Sequence, residues 1–174
     1  MLFRSPADNP PDNRPIAISE PDDPAVETYR HLRTGLQFIG LERPIKTLQV
    51  TSALPGEGKT TTAANLAIMF AQTGKRVILL DADLRRPRIH QVFAVDGTRG
   101  LTNGVLGEPL ASLVHPMSVG GGVLNVLPSG TIPGNPSEML GGSRMRNLLK
   151  ELAVNADVVI IRSEEHTSEL QSPD

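Results

Sequence analysis

The sequence predicts an α/β fold, a parallel sheet with helices on both faces, and three observations predict it. Short apolar runs alternate with stretches of helical period along most of the 174 residues, the pattern of a layered α/β domain. A glycine-rich stretch ending in Gly58-Lys59-Thr60-Thr61 sits between the first such run and an apolar segment of helix length. The next apolar run delivers two carboxylates, Asp81 and Asp83, at the strand end where open α/β sheets bind their ligands.

The elements follow in order. Residues 6–23 carry Pro6, Pro10, Pro11, Pro15 and Pro21 among Asp and Asn, too little apolar surface to offset the entropy of ordering, so this stretch reads as a linker. Asp23 as cap and Pro24 in the first turn open a helix to about Phe38, with Val26, Tyr29, Leu32 and Leu36 at helical spacing. Lys46 to Ser52 reads as a short strand, Thr60 to Gln72 as an apolar helix closed by Gly74, and Arg76 to Leu80 as a buried strand. Beyond this β-α-β unit, Leu101 to Leu106 predicts a short helix, Val123 to Leu127 a strand, Ser143 to Ala153 a helix and Val158 to Ile161 a further buried strand.

The stretch Ser52-Ala53-Leu54-Pro55-Gly56-Glu57-Gly58-Lys59-Thr60-Thr61 carries the strongest chemical signal. Glycines at 56 and 58 let the backbone bend closely around phosphate oxygens, while successive N–H groups and the positive end of the next helix face the anion. This is a P-loop, and the fold class becomes a P-loop NTPase-like parallel sheet. In such loops the lysine, here Lys59, reaches the β- and γ-phosphates and the hydroxyl, here Thr60, holds Mg²⁺. One residue departs from the general pattern, which begins with Gly where this chain has Ala53.

Asp81 and Asp83, two apart at a strand end, suit placement of Mg²⁺ or acceptance of a proton from an attacking hydroxyl. Read alone, Asp-Ala-Asp is equally a strand-to-loop turn. Arg85 and Arg86 either neutralise phosphate charge or form a solvated basic pair.

Composition removes other classes. The chain has no cysteine, which excludes disulfides, thiolate metal sites and cysteine nucleophiles. A net charge of -2 with scattered Lys and Arg offers no basic stripe for a nucleic-acid backbone, so no nucleic-acid partner is expected. No run approaches the ~20 apolar residues that span a bilayer, and the start lacks a signal-peptide pattern, so a cytoplasmic location is expected. His31, His90 and His115 show no ligand spacing.

The two ends read as foreign. Arg162 to Ser172 matches the translation of a common sequencing-adapter oligonucleotide over eleven consecutive residues, and Met1 to Ser5 matches its reverse complement read from a GTG start. Residues 1–5 and 162–174 are therefore expected to be adapter-derived, with a linker over 6–23 and a C-terminally truncated P-loop domain over 24–161. The stretch between the foreign ends holds equal numbers of basic and acidic residues.

The chain resembles the bacterial tyrosine kinases that accompany capsule and exopolysaccharide synthesis. Three stretches carry the resemblance: the P-loop in its Ala-x-Pro-Gly-Glu-Gly-Lys-Thr form, the segment Val77 to Pro87, and Glu27-Thr28-Tyr29-Arg30-His31-Leu32-Arg33, similar to the family's Glu-x-x-Arg-x-x-Arg helix. Gly100 to Glu108 and Leu127 to Leu140, with Asn135-Pro136-Ser137-Glu138, also resemble family sequence. The resemblance implies an ATP-dependent, autophosphorylating protein-tyrosine kinase acting on tyrosine-containing protein substrates. It implies Mg²⁺·ATP held by Pro55, Gly56, Glu57, Gly58, Lys59, Thr60 and Thr61, with Asp81 and Asp83 as metal ligands and one of them as base. It implies a homo-oligomeric ring through Glu27, Arg30 and Arg33, whose spacing of three places them on one helix face. It also implies a membrane chain-length regulator or activator, fused or separate, and a site at the inner face of the cell membrane. The chain departs where the family follows its last strand with Asp-Ser/Thr-Pro-Pro, because position 162 is Arg, and it lacks the Tyr-rich tail. Tyr29, its one tyrosine, reads as packing. The fragment alone is expected to be inactive. A chromosome-partitioning or division-site positioning ATPase is the main alternative, opposed by Leu54 where that group carries a signature lysine; a noncatalytic nucleotide-binding regulatory module is the third.

Overall fold

A computed structural model describes residues 14–54 and 56–164. Five strands form one sheet: β1 (Thr47–Val50), β2 (Val77–Asp81), β3 (His115–Val119), β4 (Gly122–Leu127) and β5 (Val158–Arg162), in the order β1-β5-β2-β4-β3. The pairs β1–β5, β5–β2 and β2–β4 are parallel, as expected. The edge pair β3–β4 is antiparallel, a strand that the sequence pattern does not announce. Pro116 inside β3 is tolerated because an edge strand can lack one donor. Gly120 and Gly121 both take positive φ, 53° and 90°, which a two-residue turn between twisted strands requires.

The central strands supply two cores by alternation. Val77 and Leu79 of β2 with Val158 and Ile160 of β5 face one side, and Ile78, Leu80, Val159 and Ile161 face the other. On the first face, α3 (Lys59–Ala71) lies nearly wholly buried, covered by α1 (Ile16–Ser19), α2 (Pro24–Ile39) and α4 (Ile89–Val92). On the second, α7 (Ser143–Asn155) packs with α5 (Leu101–Val105) and α6 (Pro136–Gly141). An apolar α3 with no polar face fits this sandwiched position. The α3 end meets the sheet closely: a Cβ on Gly122 would lie 1.9 Å from the Ala71 carbonyl oxygen.

The Asp23 carboxylate accepts from the Ala25 N–H at 2.7 Å, and Pro24 occupies the first turn of α2, as the sequence predicts. The buried stripe of α2 differs by one residue. Val26 is fully buried and Tyr29 and Leu36 pack on the core, while Leu32 is exposed. Arg33 takes the inward position, and its guanidinium reaches the Met69 carbonyl of α3 at 3.2 Å, so the inward row is 26, 29, 33, 36. Among the described residues no helix is long and apolar enough to cross a membrane.

Candidate nucleotide site

Three neighbouring parallel strand ends deliver the site. β1 leads into the P-loop, β2 ends on Asp81, and β5 between them ends on Arg162. Gly56 and Gly58 hold φ of 84° and 85°, and a Cβ on either would meet nothing within 4 Å. Glycine is needed there for backbone conformation rather than space. Gly58 is also the N-cap of α3, whose first N–H groups have no acceptor one turn back and so face the loop. Pro55 lies outside the described residues.

Lys59 is buried, and its ammonium donates to the Ser52 hydroxyl at 3.0 Å, which in turn donates to the Leu54 carbonyl at 2.8 Å. The loop thus places its lysine inside its own curve, and Ser52 is a contributor that the motif reading leaves without a role. Glu57 works on the loop itself: its carboxylate accepts from the Leu54 N–H at 3.0 Å and braces the turn. Thr60 and Thr61 line the cleft.

The two carboxylates meet at one corner, where both accept from Arg162. Asp81 is fully buried. One of its oxygens accepts from the N–H groups of Arg88 and Ile89, both at 2.9 Å, and the other accepts from Arg162 at 2.7 Å. Asp83 accepts from the Arg86 N–H at 2.9 Å and from Arg162 at 2.8 Å. Burial pushes the Asp81 carboxyl up, the Arg162 charge and the two N–H groups pull it back, and the balance leaves it above the usual carboxylate range. Asp83 lines the cleft, whereas Asp81 braces the start of α4 behind it.

The cleft measures about 480 Å³ and has three walls. Gly56, Gly58, Lys59, Thr60 and Thr61 form one, Asp83, Arg86, Arg88 and Arg162 the second, and Arg14, Pro15 and Ile16 the third. The third wall comes from the stretch that composition reads as linker. It is held by the Ala17 N–H, which donates to buried Asn65 at 3.0 Å, while the Asn65 amide donates to the Thr61 carbonyl at 2.9 Å. The apolar triplet Ile16-Ala17-Ile18 within the proline-rich stretch is the signal that points to this docking. Away from the cleft, Glu27 and Arg30 form an exposed ion pair on α2. Arg33 is turned toward α3, with its Nε buried and without a hydrogen-bond partner.

The model of the CobQ/CobB/MinD/ParA nucleotide binding domain matches residues 49–171. Tyrosine-protein kinase YwqD of Bacillus subtilis (strain 168) is 44% identical over 146 residues, which is 83% of this chain and 61% of that protein. The kinase domain of Escherichia coli tyrosine kinase ETK superposes with a TM-score of 0.80 at 36% identity, over 97% of this chain and 64% of that one. The VpsO kinase domain gives a TM-score of 0.72 at 30% identity, over 83% and 73%. This chain belongs to the bacterial tyrosine-kinase branch of the CobQ/CobB/MinD/ParA nucleotide-binding family. As a bacterial tyrosine-kinase chain it spans about three fifths of YwqD and about a fifth of longer kinases such as E. coli etk. Division ATPase MinD of Pyrococcus furiosus, at 22% identity and TM-score 0.55, shares the fold alone. The P-loop and the Asp81–Asp83 segment both fall inside the family match, and α2 precedes it.

Proposed function

We propose that this chain is the nucleotide-binding portion of an ATP-dependent, autophosphorylating protein-tyrosine kinase that regulates capsular or exopolysaccharide synthesis and export. The observation that carries the reading is the cleft itself, where the P-loop and its inward lysine face an acidic strand end across a space of about 480 Å³. The triphosphate lies along Gly56 to Thr61, and Lys59 leaves Ser52 to follow the charge that develops on the transferred phosphoryl group. Arg86 and Arg88 on the facing wall add positive potential. The acceptor tyrosine hydroxyl gives its proton to a carboxylate, and Asp83 is assigned this role because it lines the cleft.

Thr60, Asp81 and Asp83 are the expected Mg²⁺ ligands, and Mg²⁺ bound there would neutralise phosphate charge. As folded here they do not fit that ion, because the Arg162 guanidinium occupies both carboxylates. The chain by itself is therefore assigned nucleotide binding without turnover, and tyrosine transfer to a parent with the family's Asp at this position. In that parent, a ring of subunits is proposed through the α2 face that carries the exposed Glu27 and Arg30, whereas Arg33 is engaged here by the Met69 carbonyl of α3. A membrane chain-length regulator, fused or separate, is proposed as partner, at the inner face of the membrane.

Two measurements test the reading. Calorimetry of ATP and ADP with the chain should show binding that Lys59→Ala abolishes, and the parent kinase should acquire phosphotyrosine in the presence of ATP. Absence of nucleotide binding refutes the site. A parent that binds ATP yet never acquires phosphotyrosine refutes the kinase and leaves the regulatory module; robust tyrosine-peptide turnover by the chain itself refutes its assignment as a binder.

A further inference from the structure

The cleft wall that holds Asp83 also carries Arg86 and Arg88. Both arginines are exposed, and among the described residues neither guanidinium has a carboxylate or carbonyl partner. Their backbone is nevertheless fixed. The Asp83 carboxylate accepts from the Arg86 N–H and the Asp81 carboxylate from the Arg88 N–H, both at 2.9 Å, and Pro87 between them has its φ locked by its ring. Neither of these two contacts involves position 162. Arg88 is also the N-cap of α4, so Gln91 rises from the same short helix into the cleft.

The cleft continues past the P-loop along α3. Thr61 and Ala64 are about one turn apart on that helix, and α1 and α4 pack on either part of it, which brings Ile16 and Val92 to the lining. Ile16 and Val92 are half-buried against the core, so this end of the cleft is aliphatic. A side chain that enters here meets an aliphatic floor, an arginine rim and the Asp83 carboxylate. An aromatic ring with a polar tip suits that combination. Tyr29 packs on the core and is not part of the lining, so the ring comes from another segment.

The charges divide between the walls. The P-loop wall meets the nucleotide phosphates with Lys59 and the positive end of α3. The facing wall holds the carboxylate assigned the hydroxyl proton, so Arg86 and Arg88 also face whatever segment delivers that hydroxyl. A planar guanidinium takes a carboxylate through two parallel N–H bonds.

We propose that Arg86 and Arg88 select the acceptor, a tyrosine flanked by acidic side chains whose carboxylates pair with the two guanidinium groups. The inference rests on the kinase reading above. It adds a substrate class to that reading: anionic peptide segments are favoured over neutral ones because they complement the arginine rim.

The test uses two labelled peptides, one tyrosine flanked by glutamates and its counterpart flanked by glutamines. Each is titrated with the ADP-loaded chain and read by fluorescence anisotropy, with ADP binding measured by calorimetry on the same samples. The glutamate peptide should bind about tenfold more tightly, and Arg88→Gln and Arg86→Gln should each cut that advantage to about threefold or less. The readout is a ratio of two peptides on one protein, so a general loosening of the cleft does not move it. Equal affinities, no binding of either peptide, or an advantage that survives both substitutions overturns the proposal. Loss of ADP affinity in the substituted chains with an unchanged ratio assigns the arginines to the nucleotide alone and also overturns it. In all these outcomes ADP binding by the unaltered chain leaves the nucleotide site standing, and phosphotyrosine on the parent tests the kinase reading separately. Absence of ADP binding by the unaltered chain overturns both.

Discussion

Replacing Arg162 by Met keeps most of the side-chain length and removes the charge, which isolates what the guanidinium does for the fold. Arg162, Asp81 and Asp83 have side chains 4%, 0% and 7% exposed, so this is a buried ionic group rather than a surface bridge. Removing one partner from such a group costs ~3–5 kcal/mol, mostly as the penalty of charge left uncompensated. Loss of the hydrogen bond to the Arg86 carbonyl adds to the cost. The two N–H groups that remain on Asp81, and access of water to Asp83 through the cleft, reduce it. A loss of about 3 kcal/mol at pH 7 is expected, a fall in Tm of roughly 6–12 °C for a domain of this size. The pH dependence has a definite sign. Asp81 already sits above its unfolded value through burial, and Arg162 is the largest influence holding it down. A carboxyl raised in the fold contributes stability below its unfolded value and loses it as pH rises through the folded one. Without Arg162 that folded value climbs, so the deficit is largest near neutrality and shrinks on acidification, by at most about 1.4 kcal/mol per pH unit for each proton taken up. Urea unfolding of the nucleotide-free proteins at pH 7 and pH 5 measures both quantities. A deficit under about 1 kcal/mol at pH 7, the value of an exposed bridge, refutes the reasoning, and so does a deficit that grows as the pH is lowered.

Three further outcomes follow from separate contacts. Gly122→Ala puts a Cβ 1.9 Å from the Ala71 oxygen and 2.5 Å from its carbon, so β4 and the end of α3 must separate; a loss of about 1–3 kcal/mol is expected in denaturant unfolding, and an unchanged midpoint would show that the two backbones are not in contact. Asn65→Leu removes the acceptor of the Ala17 N–H; an unpaired buried donor costs about 1–3 kcal/mol, so α1 should release, read as faster hydrogen exchange at Ala17, and unchanged protection there would contradict its docking. Arg76 donates from its backbone and side chain to Asp157 and holds that carboxyl at about 2. A depressed carboxyl contributes stability above its unfolded value of 3.8 that is lost as pH falls through about 2. The Asp157 carboxyl signal in NMR should therefore titrate near 2 and move up in Arg76→Ala, and a midpoint unaffected by that change would refute the pairing.

How much of the fold was legible depends on whether an element is held by its own pattern or by its neighbours. The helices α2, α3 and α7 and the strands β1, β2, β4 and β5 carry periodic apolar residues long enough to read, and their observed ends lie within about two residues of expectation, the usual uncertainty of a boundary. The elements α1, α4 and α6, and strand β3, were not legible. α1 and α4 have four residues each, too few for a helical period, and both form because α3 offers a surface to cover. β3 contains Pro116 and alternates only weakly, so its place comes from the Gly120-Gly121 turn and the waiting edge of β4.

The site divides along the same line. Gly56, Gly58, Lys59, Thr60 and Thr61 are read from adjacent letters because the phosphate cradle is local backbone geometry, closed by contacts spanning no more than seven positions. The two carboxylates are read from the end of β2, but what they face is not, since the Asp81–Arg162 contact joins positions 81 apart. Only the strand order, with β5 inserted between β1 and β2, brings position 162 to that point. The sign of the side chain there then decides the chemistry. An aspartate would gather a third negative charge at one buried corner, an arrangement that needs a cation from solution to be stable. An arginine supplies the compensating charge from within the chain and closes the corner. Neither the P-loop nor the Asp81–Asp83 spacing tells which side chain stands at that corner, because position 162 reaches it only through the order of the strands.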